Sequence, residues 1–355
     1  MSRNSHKKFC LAVTGNPVLH SKSPVIFNAI FRNSGIDDSH IYTRIAANTP
    51  AGAMFLFKEL RLAGMNVTAP FKAGIMNYLD EFDDAAKVIG GVNTVVREKA
   101  GIKGYNTDFL GVTGALAARG IKLAGKKCVV LGAGGAGRAA VYGLLREKAF
   151  VTLVNRTYEK ALAVAGALGC VCETVETLPG LLGHADILVS TLPAALDIIP
   201  GDWLRSGLVV FDANYKESLL IEKAEKKGCQ TIKGEEWLLN QAIPAYGHFL
   251  GSAHTKSPDI SKVLGGVGTL FQKGSDPPEA KIIALIGFMG SGKSFIGKKL
   301  ARELDFVFKD LDEIIEKKVG VSIPDIFNSQ GEESFRRLEK EILAEVLKEG
   351  SRVVI

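Results

Sequence analysis

Nowhere among the 355 residues is there an apolar run approaching the roughly 20 residues that a membrane-spanning helix needs, so no membrane partner is expected. Cysteine is scarce as well. The five present form no Cys-x-x-Cys pair, which argues against a disulfide framework and a zinc site and makes a reducing cytoplasm the simplest setting. Nor is there a large excess of one charge: 44 Lys and Arg against 38 Asp and Glu give +6, with the lysines dispersed. That balance carries no nucleic-acid footprint, and small anionic ligands account for a mild basic surplus equally well. The basic, polar stretch Met1 to Lys8 is followed by apolar residues that stop at Gly15-Asn16-Pro17 without a signal-peptide cleavage pattern; a first strand is the reading. What is present is ordinary for a soluble globular protein, 46% apolar and 23% charged. The chain is too long for one compact core, and two or three domains are expected.

The most informative stretch is Lys127 to Ala140. An apolar run, Cys128 to Leu131, stops at Gly132; Gly134 and Gly137 follow, and an Ala-rich segment continues to about Glu147. Strand, glycine turn and helix are the setting that a Gly-x-Gly-x-x-Gly dinucleotide fingerprint requires. Gly132 permits the tight turn, and Gly134 lets a pyrophosphate approach the backbone. Gly137 lets the helix pack close to the strand, and free N–H groups at the helix start receive the anion. Glycine turns alone are common. Phe150 to Val154 strengthens the reading as a second strand, ending in Asn155-Arg156-Thr157. Enzymes that use NAD usually place an acid there for the ribose 2′-OH, whereas an arginine suits the 2′-phosphate of NADP. The sequence therefore points to NADP(H).

Earlier in the chain, Phe9 to Thr14 reads as a strand running into Gly15-Asn16-Pro17 and then Ser21-Lys22-Ser23-Pro24, just before an amphipathic helix. Two hydroxyls and free backbone donors at a helix entrance suit a carboxylate; on this segment alone, a serine that caps the helix explains them as well. Met65 to Lys72 is a strand broken at Pro70 that delivers Lys72 to a loop, where a lone lysine is commonly a solvated surface group. Gly90-Gly-Val-Asn-Thr94 precedes a strand. Tyr105-Asn-Thr-Asp108 follows a glycine-rich hairpin, and Asp108 has the alternative reading of a helix cap. Taken together, these four polar motifs are expected each to end a strand on one edge of an α/β layer, which is where such folds bind ligands.

In this order the motifs resemble the shikimate dehydrogenase family: Gly-Asn-Pro-x5-Ser-x-Ser-Pro, Asn-Val-Thr-x-Pro-x-Lys, Val-Asn-Thr, Asn-Thr-Asp, Gly-Ala-Gly-Gly-Ala-Gly and Asn-Arg-Thr, over residues 9–271. The resemblance implies that Ser21 and Ser23 hold a substrate carboxylate and that Asn66, Thr68, Asn93 and Asp108 bind ring hydroxyls. It makes Lys72 the catalytic group, with Tyr215 and Gln241 completing the pocket. Gly132, Ala133, Gly134, Gly135, Ala136, Gly137, Asn155, Arg156, Thr157, Ala213 and Gly234 would contact the cofactor, with Asp84 near it. Trp237 stands where the family pattern leads one to expect methionine. Independently, hydride addition to a ketone leaves a developing alkoxide that needs a proton donor, and positioned acid–base catalysis is worth ~10²–10⁴-fold. A lysine paired with an aspartate answers that need without a metal: Lys72 gives the proton in reduction and accepts it in oxidation, while Asp108 orients it.

From Phe109 to about Asn240 strands and helices alternate, with Asp186 to Thr191 and Leu208 to Asp212 as later parallel strands; Trp237 to His248 then returns as a helix to the first domain. His248 and His254 lack metal-ligand spacing and read as structural. Residues 271–281 form a linker by composition. Beyond it, the strand Ile282 to Ile286 leads into Gly287-Phe-Met-Gly290-Ser291-Gly292-Lys293-Ser294, a phosphate loop: backbone N–H groups cradle phosphates, Lys293 reaches the terminal ones, and Ser294 meets Mg²⁺. Residues 280–355 resemble the N-terminal part of shikimate kinase, which implies Asp310 near Mg²⁺, Asp312 on shikimate hydroxyls and Arg336 on the carboxylate. The glycine run, mobile lid and arginines with which that family continues are not among the 355 residues.

The expected fold is therefore α/β: a two-lobed dehydrogenase with an N-terminal α/β substrate domain (1–107 plus 240–272) and a Rossmann-type NADP domain (108–239). A linker (273–280) and a partial P-loop α/β kinase segment (281–355), with Mg²⁺ and ATP as its ligands, follow. The expected activity is NADPH-dependent reduction of 3-dehydroshikimate to shikimate. An enzyme that also accepts quinate, and a ligand-sensing protein that kept the fold but lost the chemistry, are the alternatives; Lys72 and Asp108 are both present, against the second. The partner is a small molecule, and oligomeric state stays open, a homodimer included.

Overall fold

The computed structural model describes residues 9–193, 196–214, 218–251, 282–285, 292–348 and 352–355. It divides into two compact units, Met1–Gly268 and Thr269–Ile355. Tyr215, Gly287, Gly290, Ser291, His254 and the 273–280 linker lie outside the described residues.

The first unit holds two six-stranded sheets. In the N-terminal one, β1 (Phe9–Gly15) lies between β2 (His40–Ala46) and β3 (Gly64–Val67), parallel to both. Next to β3 come β5 (Thr94–Arg97) and β6 (Ile102–Tyr105), each antiparallel to the strand before it, and then β4 (Glu81–Phe82), parallel to β6. The alternation of direction matters for the site. The ends of β1 and β3, the start of β5 and the end of β6 share one edge, so the polar motifs after Gly15, at Asn66, at Asn93 and at Asn106 converge there. The expectation that each motif ends a strand is corrected at one place: Asn93 immediately precedes β5, and the antiparallel pairing brings it to the same edge.

The second sheet is wholly parallel, in the order β12-β11-β10-β7-β8-β9. These strands are β7 (Lys127–Leu131), β8 (Phe150–Val154), β9 (Val171–Glu173), β10 (Ile187–Ser190), β11 (Val209–Asp212) and β12 (Gln230–Ile232). This is the doubly wound order, reversing direction between β7 and β10. Strands covered on both faces read as continuous apolar runs, and period-two alternation sends neighbours to opposite cores. Val130, Val189 and Phe211 pack with Val112, Ala115 and Leu144 on one side; Val129, Leu131, Leu188 and Val210 pack with Leu178, Leu182 and Ile221 on the other. Full burial of one such side chain is worth ~1.5–3 kcal/mol.

Helix α4 (Asp108–Ala118) leaves the first sheet, and α9 (Gly234–Leu250) returns to it. The return is fixed by aromatic packing: Phe249 lies against Phe27 at 5.6 Å and Tyr42 at 6.4 Å between ring centres. The Tyr246 hydroxyl donates to Ser34 at 2.9 Å. No helix among the described residues is long and apolar enough to cross a membrane.

The second unit has a three-stranded parallel sheet in which Val353–Val354 pairs with Ile282–Ile283 on one side and Val307–Phe308 on the other. Gly297 lets the helix Lys293–Leu304 close onto that sheet, because a Cβ there would stand 2.2 Å from the Phe308 ring. Ile315, Ile326, Phe335, Ile342 and Val346 form the core beneath the helices that follow.

Candidate active site

At the convergent edge, Pro70 breaks the chain after β3 and Lys72 follows; Asp108 is the first residue of α4. The Lys72 ammonium donates to Asp108 Oδ2 at 2.5 Å, with the two side chains 20% and 9% exposed. The alternative reading of Asp108 as a helix cap is thereby corrected, since Thr107 is the N-cap residue and the Asp108 carboxylate is engaged elsewhere. Nor is Lys72 a solvated surface group. Its stem passes 3.7 Å from where a Cβ on Gly135 would stand, so the pair sits against the start of the fingerprint helix α5 (Gly135–Arg146).

A buried polar network surrounds this pair. Asn93 Nδ2 donates to Asp108 Oδ1 at 2.9 Å, and Thr107 Oγ1 at 2.9 Å and Gln241 Oε1 at 3.1 Å share the same amide. Asn66 Nδ2 donates to the Asn93 carbonyl and to Thr94 Oγ1, both at 3.0 Å, while its Oδ1 accepts from the Tyr42 hydroxyl at 2.5 Å. Both Asn66 N–H groups are thus engaged within the protein, and what it can offer a ligand is an acceptor lone pair. Thr68 borders the site through its backbone, its N–H donating to the Thr14 carbonyl at 2.8 Å.

Ser21 and Ser23 are buried together at the entrance of α1 (Ser23–Asn33), with their hydroxyls 3.2 Å apart. Ser21 Oγ also accepts from the Ser23 N–H at 3.3 Å, which is part of a cap's task; the N-cap residue itself is Lys22, without a side-chain cap. The loop is held by Arg44, whose Nε and Nη2 donate to the Ser21 carbonyl at 3.0 and 2.5 Å. A pair of hydroxyls beside helix N–H groups can accept and donate around a carboxylate.

The glycine turn shows whether a dinucleotide fits. Gly132 has φ +101°, and a Cβ on Gly137 would stand 1.7 Å from the Gly132 carbonyl, so neither tolerates a side chain. Around Gly134 nothing lies within 4 Å of a would-be Cβ, which leaves the approach to the helix start open. Asn155 braces the turn by accepting from the Ala133 N–H at 3.2 Å, and its Nδ2 donates to the Thr157 carbonyl at 2.9 Å. Arg156 and Thr157 are exposed, and Arg156 forms no ion pair among the described residues. Gly134, Gly135 and Ala136 line the helix start. A Cβ on Gly234 would meet the Ala213 carbonyl at 2.2 Å, so those two residues are in close contact. The residues present fit a dinucleotide with an extra phosphate. Asp84 opens α3 (Asp84–Ile89) and is almost fully exposed.

Three contributors were not singled out from the sequence, Tyr42, Arg44 and Thr107, and the part played by Trp237 was not foreseen. Trp237 Nε1 donates to the Asp108 carbonyl at 3.0 Å, so the residue that departs from the expected methionine secures the start of α4. His248 stacks on Tyr105 at 3.8 Å between ring centres, and burial pulls its imidazole below the usual value against the opposing charges of Asp83 and Glu98.

In the second unit, Ser294 Oγ donates to Asp310 Oδ2 at 2.6 Å, pairing a hydroxyl and a carboxylate suited to a hard cation. Burial and the neighbouring Asp310 push the Asp312 carboxyl up, with Lys293 opposing. Arg336 is engaged by Glu339 at 3.0 Å and Glu332 at 3.4 Å on its own helix.

Comparison with known proteins accounts for both units. Family models match at residues 13–95 (shikimate dehydrogenase substrate binding domain), 115–223 (shikimate / quinate 5-dehydrogenase) and 289–355 (shikimate kinase). A shikimate dehydrogenase (NADP(+)) from Aquifex aeolicus is 38% identical over 239 residues, covering 66% of this chain and 88% of that protein. The crystal structure of shikimate dehydrogenase from the same organism is similar with a TM-score of 0.68 at 35% identity, covering 75% of this chain and 99% of that one. A shikimate 5-dehydrogenase from Thermus thermophilus, solved with NADP(H) and shikimate, gives 0.66 at 29% identity over 74% of this chain and 99% of its own.

Proposed function

This chain belongs to the shikimate dehydrogenase family, and we propose that its specific reaction is the reversible, NADPH-dependent reduction of 3-dehydroshikimate to shikimate. The observation that carries the proposal is the Lys72–Asp108 pair, 2.5 Å apart, with Asp108 buried and Lys72 partly so, set against the start of the fingerprint helix. In the direction of reduction, Lys72 Nζ donates a proton to the ketone oxygen as it becomes an alcohol; in oxidation it takes that proton back. Asp108 holds the ammonium in place. Ser21 and Ser23 receive the carboxylate. Asn66, accepting through Oδ1, joins Thr68, Asn93 and Asp108 on the ring hydroxyls, and Gln241 and Tyr215 close the pocket. NADPH, when bound, supplies the hydride and would be held by Gly132 to Gly137, Asn155, Arg156, Thr157, Ala213 and Gly234.

Incubation with 3-dehydroshikimate and NADPH tests this reading: shikimate, identified by mass and chromatographic mobility, forms as NADPH is consumed. Consumption without shikimate would sink it.

For the second unit the reading is narrower. Ser294 and Asp310 form the cation half of a phosphate site, but phosphoryl transfer also demands exclusion of water, a held acceptor and cations on the moving group. In the kinase family that residues 280–355 resemble, the lid and its arginines, which are not among these 355 residues, would supply these, and Arg336, assigned to the carboxylate by resemblance, is tied to Glu332 and Glu339. The expected outcome is weak or no ATP binding and no measurable phosphorylation of shikimate by the 355-residue chain. Sustained ADP release that requires shikimate and disappears in Lys293→Ala would contradict it.

A further inference from the structure

We propose that Tyr42 is a positioning residue for the reaction, the first donor of a one-way hydrogen-bond chain that ends on the Asp108 carboxylate. The inference rests on the dehydrogenase reading above. Its basis is that the orientation of every amide in the chain is fixed by a backbone group. Asn66 must turn Nδ2 toward the Asn93 carbonyl, which can only accept, so its Oδ1 lies on the Tyr42 side and receives that hydroxyl's proton at 2.5 Å. Asn93 must turn Oδ1 toward the Thr107 N–H, which can only donate, at 2.8 Å; its Nδ2 then lies on Asp108 Oδ1 at 2.9 Å. Thr94 joins the two, accepting from Asn66 Nδ2 and donating to Asn93 Oδ1, each at 3.0 Å. One donor of each of Tyr42, Asn66, Thr94 and Asn93 thus lies on a single path that runs in one direction to Asp108, whose other oxygen receives Lys72.

Aligned hydrogen bonds in a dry environment polarise one another, so a donor at the far end strengthens the bond at the near end. Asn66, Asn93 and Asp108 are all at most 6% exposed, which keeps competing water from the chain. Tyr42 is 2% exposed, with its ring stacked on Phe27 at 4.3 Å and 3°. Burial holds its hydroxyl well above the ordinary phenol value, so it remains a donor at any working pH. Without that donor, Asn66 Oδ1 loses its bond while the backbone still sets both amides, and the polarisation passed through Thr94 and Asn93 to Asp108 weakens.

Tyr42→Phe keeps the stacked ring and removes one hydroxyl. The test is steady-state kinetics of this variant, of Asn66→Ala and of the double variant, beside the wild type, with thermal midpoints for all four. A wild type that does not oxidise shikimate with NADP⁺ would fail the dehydrogenase reading itself, before any variant is compared. Given wild-type turnover, Tyr42→Phe is expected to lower kcat roughly 3- to 10-fold, the scale of one hydrogen bond's net contribution, while KM for shikimate moves less than about 2-fold, because the carboxylate and hydroxyl contacts remain. The double variant is expected to match Asn66→Ala alone, since Tyr42 acts through Asn66. Three results would overturn the proposal: a lower thermal midpoint with kcat unchanged, a rise in KM with kcat unchanged, or fully additive losses in the double variant.

Discussion

Lys72→Ala will lower turnover by at least ~10²-fold, the low end of what a positioned acid–base group contributes, and weaken shikimate binding far less. The reason lies in what the lysine touches. Its ammonium meets Asp108 Oδ2 at 2.5 Å and no substrate-carboxylate group, since Ser21 and Ser23 form their own pair at the entrance of α1. Removing it takes away the proton that the developing alkoxide needs, yet leaves Asn93, Gln241 and the two serines in place. Asp108 keeps one strong donor, Asn93 Nδ2 at 2.9 Å, and loses the other. A buried carboxylate stripped of its cation is destabilising by a few kcal/mol, so the thermal midpoint will fall as well. Lys72→Met, which keeps most of the stem packed beside Gly135, separates packing from chemistry: it must be as slow as the alanine variant. Steady-state kcat together with calorimetric shikimate binding checks the whole pattern. Near-normal turnover in either variant would remove Lys72 from the reaction.

Arg156→Ala will raise KM for NADP⁺ by roughly 10- to 100-fold, because a hydrogen bond to a charged group is worth ~1.5–3 kcal/mol, and will leave KM for NAD⁺ nearly unchanged. Arg156 follows β8 by two residues, is exposed and makes no ion pair among the described residues, so its removal costs the fold little. Asn155 is different. It accepts from the Ala133 N–H and so braces the glycine turn itself; a change there would affect both cofactors. Equal losses for NADP⁺ and NAD⁺ in Arg156→Ala, by kinetics or by direct titration, would show that the arginine supports the turn and does not choose the phosphate.

The parts of this architecture that could be read from the chain are those in which one short segment carries its own backbone requirement. Gly132 needs a positive φ, and Gly137 needs to be bare beneath a carbonyl; both demands fall within six residues of sequence and leave a pattern. Lys72 and Asp108 were legible as members of motifs, but their contact spans 36 positions and was an inference from chemistry until the sheet brought the two loops to one edge. Tyr42 and Arg44 were invisible for the opposite reason. Each lies in an ordinary strand, β2, and acquires its role only because β2 pairs with β1, setting Tyr42 beside Asn66 and Arg44 beside Ser21. Trp237 was noticed as a departure, but its bond to the Asp108 carbonyl crosses 129 positions. Asn93 was placed on the correct edge for an incomplete reason, since strand direction there depends on an antiparallel pairing that a strand pattern does not announce. Tyr215 rests on resemblance alone, and the first residues of the phosphate loop rest on their motif alone.

The account stands most directly on one measurement: initial rates of cofactor reduction by the 355-residue chain with shikimate and with quinate, each run with NADP⁺ and with NAD⁺. The account predicts a clear rate with shikimate and NADP⁺, and a kcat/KM for that pair above the other three combinations. No rate with any of the four would contradict it by leaving a ligand-sensing protein on the dehydrogenase fold, and a preference for quinate with NAD⁺ would contradict the roles given to Arg156 and to the ring-hydroxyl contacts.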